Sequence, residues 1–191
     1  MVENTSNRAS DLGSQPGRVI WINGPFGIGK STVGQLVLSE LEAQGSTAIL
    51  YDPEQIGERL RSEGRTPTNY HDSAEWRKRI RREIQQLART PQTVVVPQTI
   101  GQLEHFDEII GGLREAVLLH HFTLQASPRV HHERIANDSA LRGEWGLNWN
   151  PSIVNTQRDA RYEIFIGTDQ LAAAEIADLI LDQVRAKLNV T

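Results

Sequence analysis

The stretch with the most chemistry in it is Gly24-Pro25-Phe26-Gly27-Ile28-Gly29-Lys30-Ser31-Thr32. It fits G-x-x-x-x-G-K-[ST], the P-loop pattern. Gly27 and Gly29 let the backbone curl until its N–H groups face phosphate oxygens. Lys30 has the length to reach β- and γ-phosphates, and the Ser31 hydroxyl can coordinate Mg²⁺. Gly24, Phe26, Ile28 and Thr32 complete the cradle around the nucleotide. The chemistry is therefore ATP binding with Mg²⁺, and phosphoryl transfer is the reaction such a cradle serves.

The elements around this loop are the ones the motif needs. Before it, Arg18–Asn23 is an apolar, β-branched run that reads as a buried strand. After it, Thr32–Leu41 carries apolar residues at helical spacing and stops at Gln44-Gly45. The helix N-terminus adds its partial positive charge to the phosphate site.

Ser46–Tyr51 reads as a second strand, ending in Asp52-Pro53-Glu54. Ligands of open α/β sheets sit beyond the carboxyl ends of the strands. A carboxylate at Asp52 is placed to take a proton from an acceptor hydroxyl, with Glu54 beside it. Asp52 is also a natural N-cap for a helix over Pro53–Ser62, and the two roles can coexist. Residues 63–73 read as a loop, followed by a helix over Ala74–Leu87 whose apolar face is Trp76, Ile80, Ile84 and Leu87. Its Arg77, Lys78, Arg79, Arg81 and Arg82 form either a solvated face or an anion site. In the second case Arg77 and Arg61, with Trp76, would meet a phosphate-bearing acceptor.

Gln92–Pro97 is a third strand. P-loop enzymes usually place an Asp near its end for the metal, but here the chain reads Pro97-Gln98-Thr99. Metal would then be held by Ser31, water and Asp52, and Gln98 and Thr99 become candidate acceptor contacts. A helix over Leu103–Glu115 and a strand over Ala116–Leu124 follow. The adjacent His120 and His121 point to opposite faces of that strand, so they are read as core or edge histidines. Ser127 and Pro128 open a helix to Ala136. The segment 137–155, with Gly143, Trp145, Gly146 and Trp149, is expected to be a lid over the nucleotide. Arg134, Arg142 and Arg158 are the candidates to neutralise transferring charge. Glu163–Gly167 is the fifth strand, and Thr168-Asp169 is expected to cap a last helix over 170–188.

Five strands alternating with helices predict an α/β fold of the P-loop NTPase type. Its parallel sheet, in order 2-3-1-4-5, has helices on both faces, as in small kinases with a lid. With 191 residues the chain reads as one such domain over 18–191 behind a polar, aperiodic tail at 1–17. A net charge of −4 gives no positive field to draw nucleic acid. The absence of cysteine excludes disulfides, thiol nucleophiles and cysteine-bound zinc. No secretory signal and no apolar span of about 20 residues is seen, so a cytoplasmic protein is expected.

Residues through most of the chain resemble one family. They include Ile20-Trp21-Ile22-Asn23-Gly24 with Phe26-Gly27 and Gly29-Lys30, and Tyr51-Asp52-Pro53-Glu54 with Gly57. Leu60-Arg61-Ser62, Trp76-Arg77, Val96-Pro97 and Thr99-Ile100 continue the match. So do Glu108-Ile109-Ile110-Gly111 and His120-His121-Phe122-Thr123-Leu124 with Ala126-Ser127. Over roughly 18–180 the chain resembles the tunicamycin-resistance proteins of the TmrB type. The resemblance implies ATP at the P-loop and a nucleoside-like ligand, tunicamycin or a similar acceptor, beyond strands two and three. The family's founding member has a further amphipathic segment linked to membrane association. This chain ends at Thr191, and no strong membrane anchor is expected. The lid segment also differs from the family's, which leaves Arg134 and Arg158 as the firmer lid arginines.

Three functions remain open from the sequence. One is a kinase that phosphorylates a hydroxyl of tunicamycin or a related nucleoside. Another is an ATP-binding protein that sequesters the drug without turnover. The third is a nucleotide kinase of metabolism.

Overall fold

The computed structural model describes residues 17–67, 69–90, 92–137 and 159–188. β1 (Arg18–Asn23) leads through the glycine loop into α1 (Lys30–Ala43). β2 (Ala48–Leu50), α2 (Glu54–Ser62), a 3₁₀ turn at Tyr70–Asp72 and α3 (Ala74–Leu87) follow. β3 (Thr93–Pro97) precedes a helical run made of α4 (Leu103–Phe106), a π turn (Asp107–Gly111) and α5 (Gly112–Arg114). β4 (Leu118–Gln125), α6 (Pro128–Asn137), a 3₁₀ turn (Ala160–Tyr162), β5 (Phe165–Gly167) and α7 (Ala173–Leu188) complete the described chain.

The sheet has the order β2-β3-β1-β4-β5, and every neighbouring pair is parallel. β1 lies at its centre, with Trp21 level with Val96 on one side and His121 on the other. Alternation along β1 divides the core. Val19 and Trp21 pack with α2, α3 and the run from Leu103, against Leu60, Trp76, Ile80 and Phe106. Ile20 and Ile22 face the other way, packing with Val33 and Val37 of α1 and Ile180 and Val184 of α7. Both layers are dry, which fixes the end of β1 and hence the start of the glycine loop.

The expected strand order is the one observed, and several boundaries move. β2 and β5 are only three residues each, shorter than the alternation suggests. Both are edge strands with a partner on one side, although the Tyr51 amide still donates to the Val95 carbonyl at 2.9 Å. The last helix begins at Ala173 rather than Gln170. Asp169 does not cap it, because its carboxylate accepts from the Ser127 amide at 2.7 Å. Glu175 accepts from the Ala172 amide at 2.7 Å instead, satisfying a donor ahead of the first turn. The run expected as one helix over 103–115 is interrupted by the π turn. His120 and His121 are 1% and 3% exposed, consistent with core histidines. Among the described residues no helix is long and apolar enough to cross a membrane. The expected lid over 137–155, with Arg142, Trp145 and Trp149, lies outside the described residues apart from Asn137, as do Arg158 and nearly all of the N-terminal tail.

Candidate nucleotide and acceptor site

The glycine loop takes backbone angles that only glycine adopts without strain: φ is 144° at Gly24, 75° at Gly27 and 104° at Gly29. Gly24 is also packed tight, since a Cβ there would lie 2.8 Å from the Leu124 carbonyl oxygen. At Gly29 a Cβ would meet nothing within 4 Å, so the loop opens onto free space just before α1. The Gly27 and Gly29 amides donate to no protein acceptor among the described residues. Free amides, open space and a helix N-terminus together make an anion cradle.

Lys30 belongs to the first turn of α1 and is 9% exposed. Its ammonium donates to the Pro25 carbonyl at 2.9 Å. Burial lowers its pKa from 10.5 to about 8, and the nearby Glu54 carboxylate works against that shift. A charge held this way has much to gain from an anionic ligand. Ser31 follows it in the first turn of α1 and is exposed. Among the described residues no three His, Cys, Asp or Glu side chains gather to hold a metal. An ion that arrives on phosphate oxygens needs few protein ligands, and the Ser31 hydroxyl is of the type that could supply one.

Asp52 and Glu54 stand beyond the end of β2. Asp52 Oδ1 accepts from the Glu54 amide at 3.0 Å, and Oδ2 lies 3.5 Å from Gln55 Nε2. Asp52 thus starts α2, as its sequence position allows. Glu54 has an exposed edge, but burial of its carboxyl and then repulsion from Asp52 raise its pKa, while Lys30 lowers it. The Lys30 ammonium therefore lies within electrostatic range of Glu54, and Glu54 within range of Asp52.

The loop after β3 is locked to the start of the glycine loop. Asn23 Oδ1 accepts from the amides of Gly24 (2.8 Å) and Ile100 (2.9 Å). Thr99 Oγ1 donates to the Gly24 carbonyl at 2.9 Å, and Trp21 Nε1 donates to the Gln98 carbonyl at 3.0 Å. Gln98 is fully buried, and its Oε1 has no hydrogen-bond partner among the described residues, while its Nε2 lies 3.4 Å from His71 Nε2. Burial lowers the His71 pKa to about 4, so the ring is neutral near pH 7.

His71 belongs to an aromatic wall. His71 stacks on Trp76 with ring centres 5.0 Å apart, and Tyr70 lies 5.1 Å from Trp76. Tyr70 lies so close to α2 that a Cβ on Gly57 would be 2.4 Å from its ring. The Arg61 guanidinium sits over the outer face of Tyr70 at 6.0 Å. Trp76 is 1% exposed, and its indole N–H donates to the Pro53 carbonyl at 3.0 Å. It supports the wall from behind. Arg77 pairs with Glu108 at 2.6 Å and donates to the His71 carbonyl at 2.8 Å, so it holds the 3₁₀ turn in place.

The structure thus brings together Lys30, Asp52, Glu54, Gln98 and Thr99, with Arg61 at the outer edge. Trp76 and Arg77 lie one layer further back. Arg134 is committed to protein oxygens: Ile28 O at 3.3 Å, Thr168 Oγ1 at 2.8 Å and Thr168 O at 2.6 Å. Sequence reasoning missed Asn23, Tyr70, His71 and His131 as site residues. Tyr70 and His71 fall in a polar stretch with no periodicity, and His131 carries no motif.

Comparison with known proteins agrees with this fold. A family model described as an AAA domain matches residues 19–143. No curated protein matches the chain in sequence. Among solved structures, the tunicamycin resistance protein of Deinococcus radiodurans is similar, at 26% identity and a TM-score of 0.70. That match covers 88% of this chain and 95% of the other. The APS kinase of Mycobacterium tuberculosis, solved with AMPPNP and APS, is similar at 18% identity and a TM-score of 0.69. It covers 90% of this chain and 99% of the kinase. A gluconokinase from Sinorhizobium meliloti 1021 is similar at 24% identity and a TM-score of 0.55, covering 92% and 97% of the two chains. The likeness to these two kinases is one of fold.

Proposed function

The chain belongs to the AAA domain family, and from that premise we propose that it transfers the γ-phosphoryl group of ATP to a hydroxyl of tunicamycin or a related nucleoside. The observation that carries the reading is a glycine loop whose Gly27 and Gly29 amides have no protein acceptor among the described residues, followed by a buried Lys30 within electrostatic range of Glu54, itself beside Asp52. Similarity to a tunicamycin resistance protein supports the choice of acceptor.

In this reading the loop amides and Lys30 hold the phosphate chain, from Gly24 through Thr32, and Ser31 contributes its hydroxyl to Mg²⁺. The ion supplies charge neutralisation at the phosphates when bound. The acceptor oxygen attacks the γ-phosphorus, the bond to the ADP oxygen breaks, and ADP leaves with its electron pair. The hydroxyl proton passes to the Asp52 carboxylate, with Glu54 beside it. Burial, and then repulsion from Asp52, raises the proton affinity of Glu54, so a second carboxylate able to take up a proton stands beside the first. Gln98 and Thr99 meet the acceptor from the β3 side, and Arg61 meets it from α2. Trp76 and Arg77 position that wall. Arg134 steadies the P-loop.

A second reading, sequestration of the drug by an ATP-closed protein, is favoured by one observation. β3 ends at Pro97 and is followed by Gln98-Thr99, with no carboxylate for the metal. The resistance function itself is tested by expressing the protein in a tunicamycin-sensitive bacterium. Wild type is expected to protect and Lys30→Ala to fail. Equal survival with both, or with neither, would overturn it.

A further inference from the structure

α6 reaches the glycine loop through two side chains. His131 Nε2 lies 2.6 Å from the Phe26 carbonyl oxygen, and Arg134 donates to the Ile28 carbonyl at 3.3 Å. A peptide unit is planar and trans, so its C=O and the N–H that follows point in opposite directions. The Phe26 carbonyl shares its unit with the Gly27 N–H, and the Ile28 carbonyl shares its unit with the Gly29 N–H. A carbonyl drawn to α6 therefore turns the next N–H away from α6. These are the same amides that have no protein acceptor among the described residues. The positive φ at both glycines allows the chain to present these N–H groups together.

We infer that His131 is a positioning residue of the nucleotide site: by holding the Phe26 carbonyl it aims the Gly27 amide into the phosphate cradle, as Arg134 does for Gly29. The inference rests on nucleotide binding at the P-loop. His131 is 2% exposed, and burial lowers its pKa, so the ring is neutral near pH 7. A neutral ring can make this contact only as the Nε2–H tautomer, since a lone pair aimed at a carbonyl oxygen repels it. The tautomer is thus part of the claim. His131 touches no phosphate and acts only through the loop.

The test is calorimetric titration of AMPPNP with Mg²⁺ into wild type, His131→Leu and His131→Gln. The glutamine amide can restore a donor, and leucine cannot. His131→Leu is expected to weaken binding about tenfold or more, and His131→Gln to stay within about threefold of wild type. Leucine binding as tightly as wild type would overturn the inference and leave the nucleotide reading intact. Wild type failing to bind would overturn the nucleotide reading and the positioning role with it. Ring ¹⁵N shifts of wild-type His131 give a check that needs no variant to fold and no nucleotide to bind. The proton is expected on Nε2, and a proton on Nδ1 alone would overturn the inference.

Discussion

Lys30→Met separates what this side chain does for a nucleotide from what it costs the fold. The residue is 9% exposed, its ammonium donates to one carbonyl, and its pKa is brought from 10.5 to about 8, mostly by burial. That depression corresponds to about 3 kcal/mol against the charged form in the folded state. Losing the bond to the Pro25 carbonyl gives back about 1 kcal/mol. Lys30→Met is therefore expected to be more stable than wild type by about 2 kcal/mol near neutral pH. In a domain of this size that is about 4–8 °C in Tm. The pH dependence gives the sign. Between about pH 8 and the ordinary lysine value the unfolded chain binds more protons than the folded one. Wild-type stability should therefore gain on that of the methionine variant through this window, and the gap should close above it. Nucleotide affinity and any turnover should collapse in the same variant, because one charge-assisted donor contributes about 2–4 kcal/mol to such a transition state. Thermal melts near neutral pH and at about pH 10, with ATP titration, measure both effects. A methionine variant less stable than wild type at neutral pH would refute the reasoning.

Three further outcomes are expected. Asp52→Asn keeps an oxygen to accept from the Glu54 amide, so melting should change little, while phosphoryl transfer falls about 10²–10⁴-fold; unchanged turnover would make Asp52 only the start of α2. Gly57→Ala puts a methyl against the Tyr70 ring and should displace the aromatic wall, weakening acceptor binding by titration while ATP binding stays near wild type. Gly24→Ala meets both a positive φ and the Leu124 carbonyl, and should lower stability by about 2 kcal/mol or more in denaturant unfolding.

Legibility from sequence followed the strength of the local signal. The run Arg18–Asn23 and the glycine pattern after it fixed β1, the loop and α1, because a buried central strand and φ-positive glycines leave plain residue choices. Alternating strand and helix periods made the parallel sheet legible, while its order came from the chain length and the expected lid, as in small kinases. Edge strands were overread: β2 and β5 stop where pairing stops, and composition does not mark that point. The π turn at Asp107–Gly111 has no sequence signature of its own. At the site, Lys30, Asp52 and Glu54 were legible from spacing and position at strand ends. Tyr70, His71 and His131 were not, since each acts through a contact across more than ten residues of chain. The Phe26 carbonyl and His131, for instance, are 105 residues apart. Arg77 was legible as a residue near the buried face of α3, but its pairing with Glu108 depends on how the run from Leu103 packs.

The central claim is that the site of Lys30 and the Asp52–Glu54 pair moves a phosphoryl group from ATP to a nucleoside hydroxyl. Incubation of the protein with ATP, Mg²⁺ and tunicamycin, followed by mass spectrometry of the small molecules, tests it most directly. The account predicts that the drug gains the mass of one phosphoryl group as ATP becomes ADP. Drug recovered unmodified beside intact ATP, with both ligands bound to the protein, would contradict it and leave sequestration as the function.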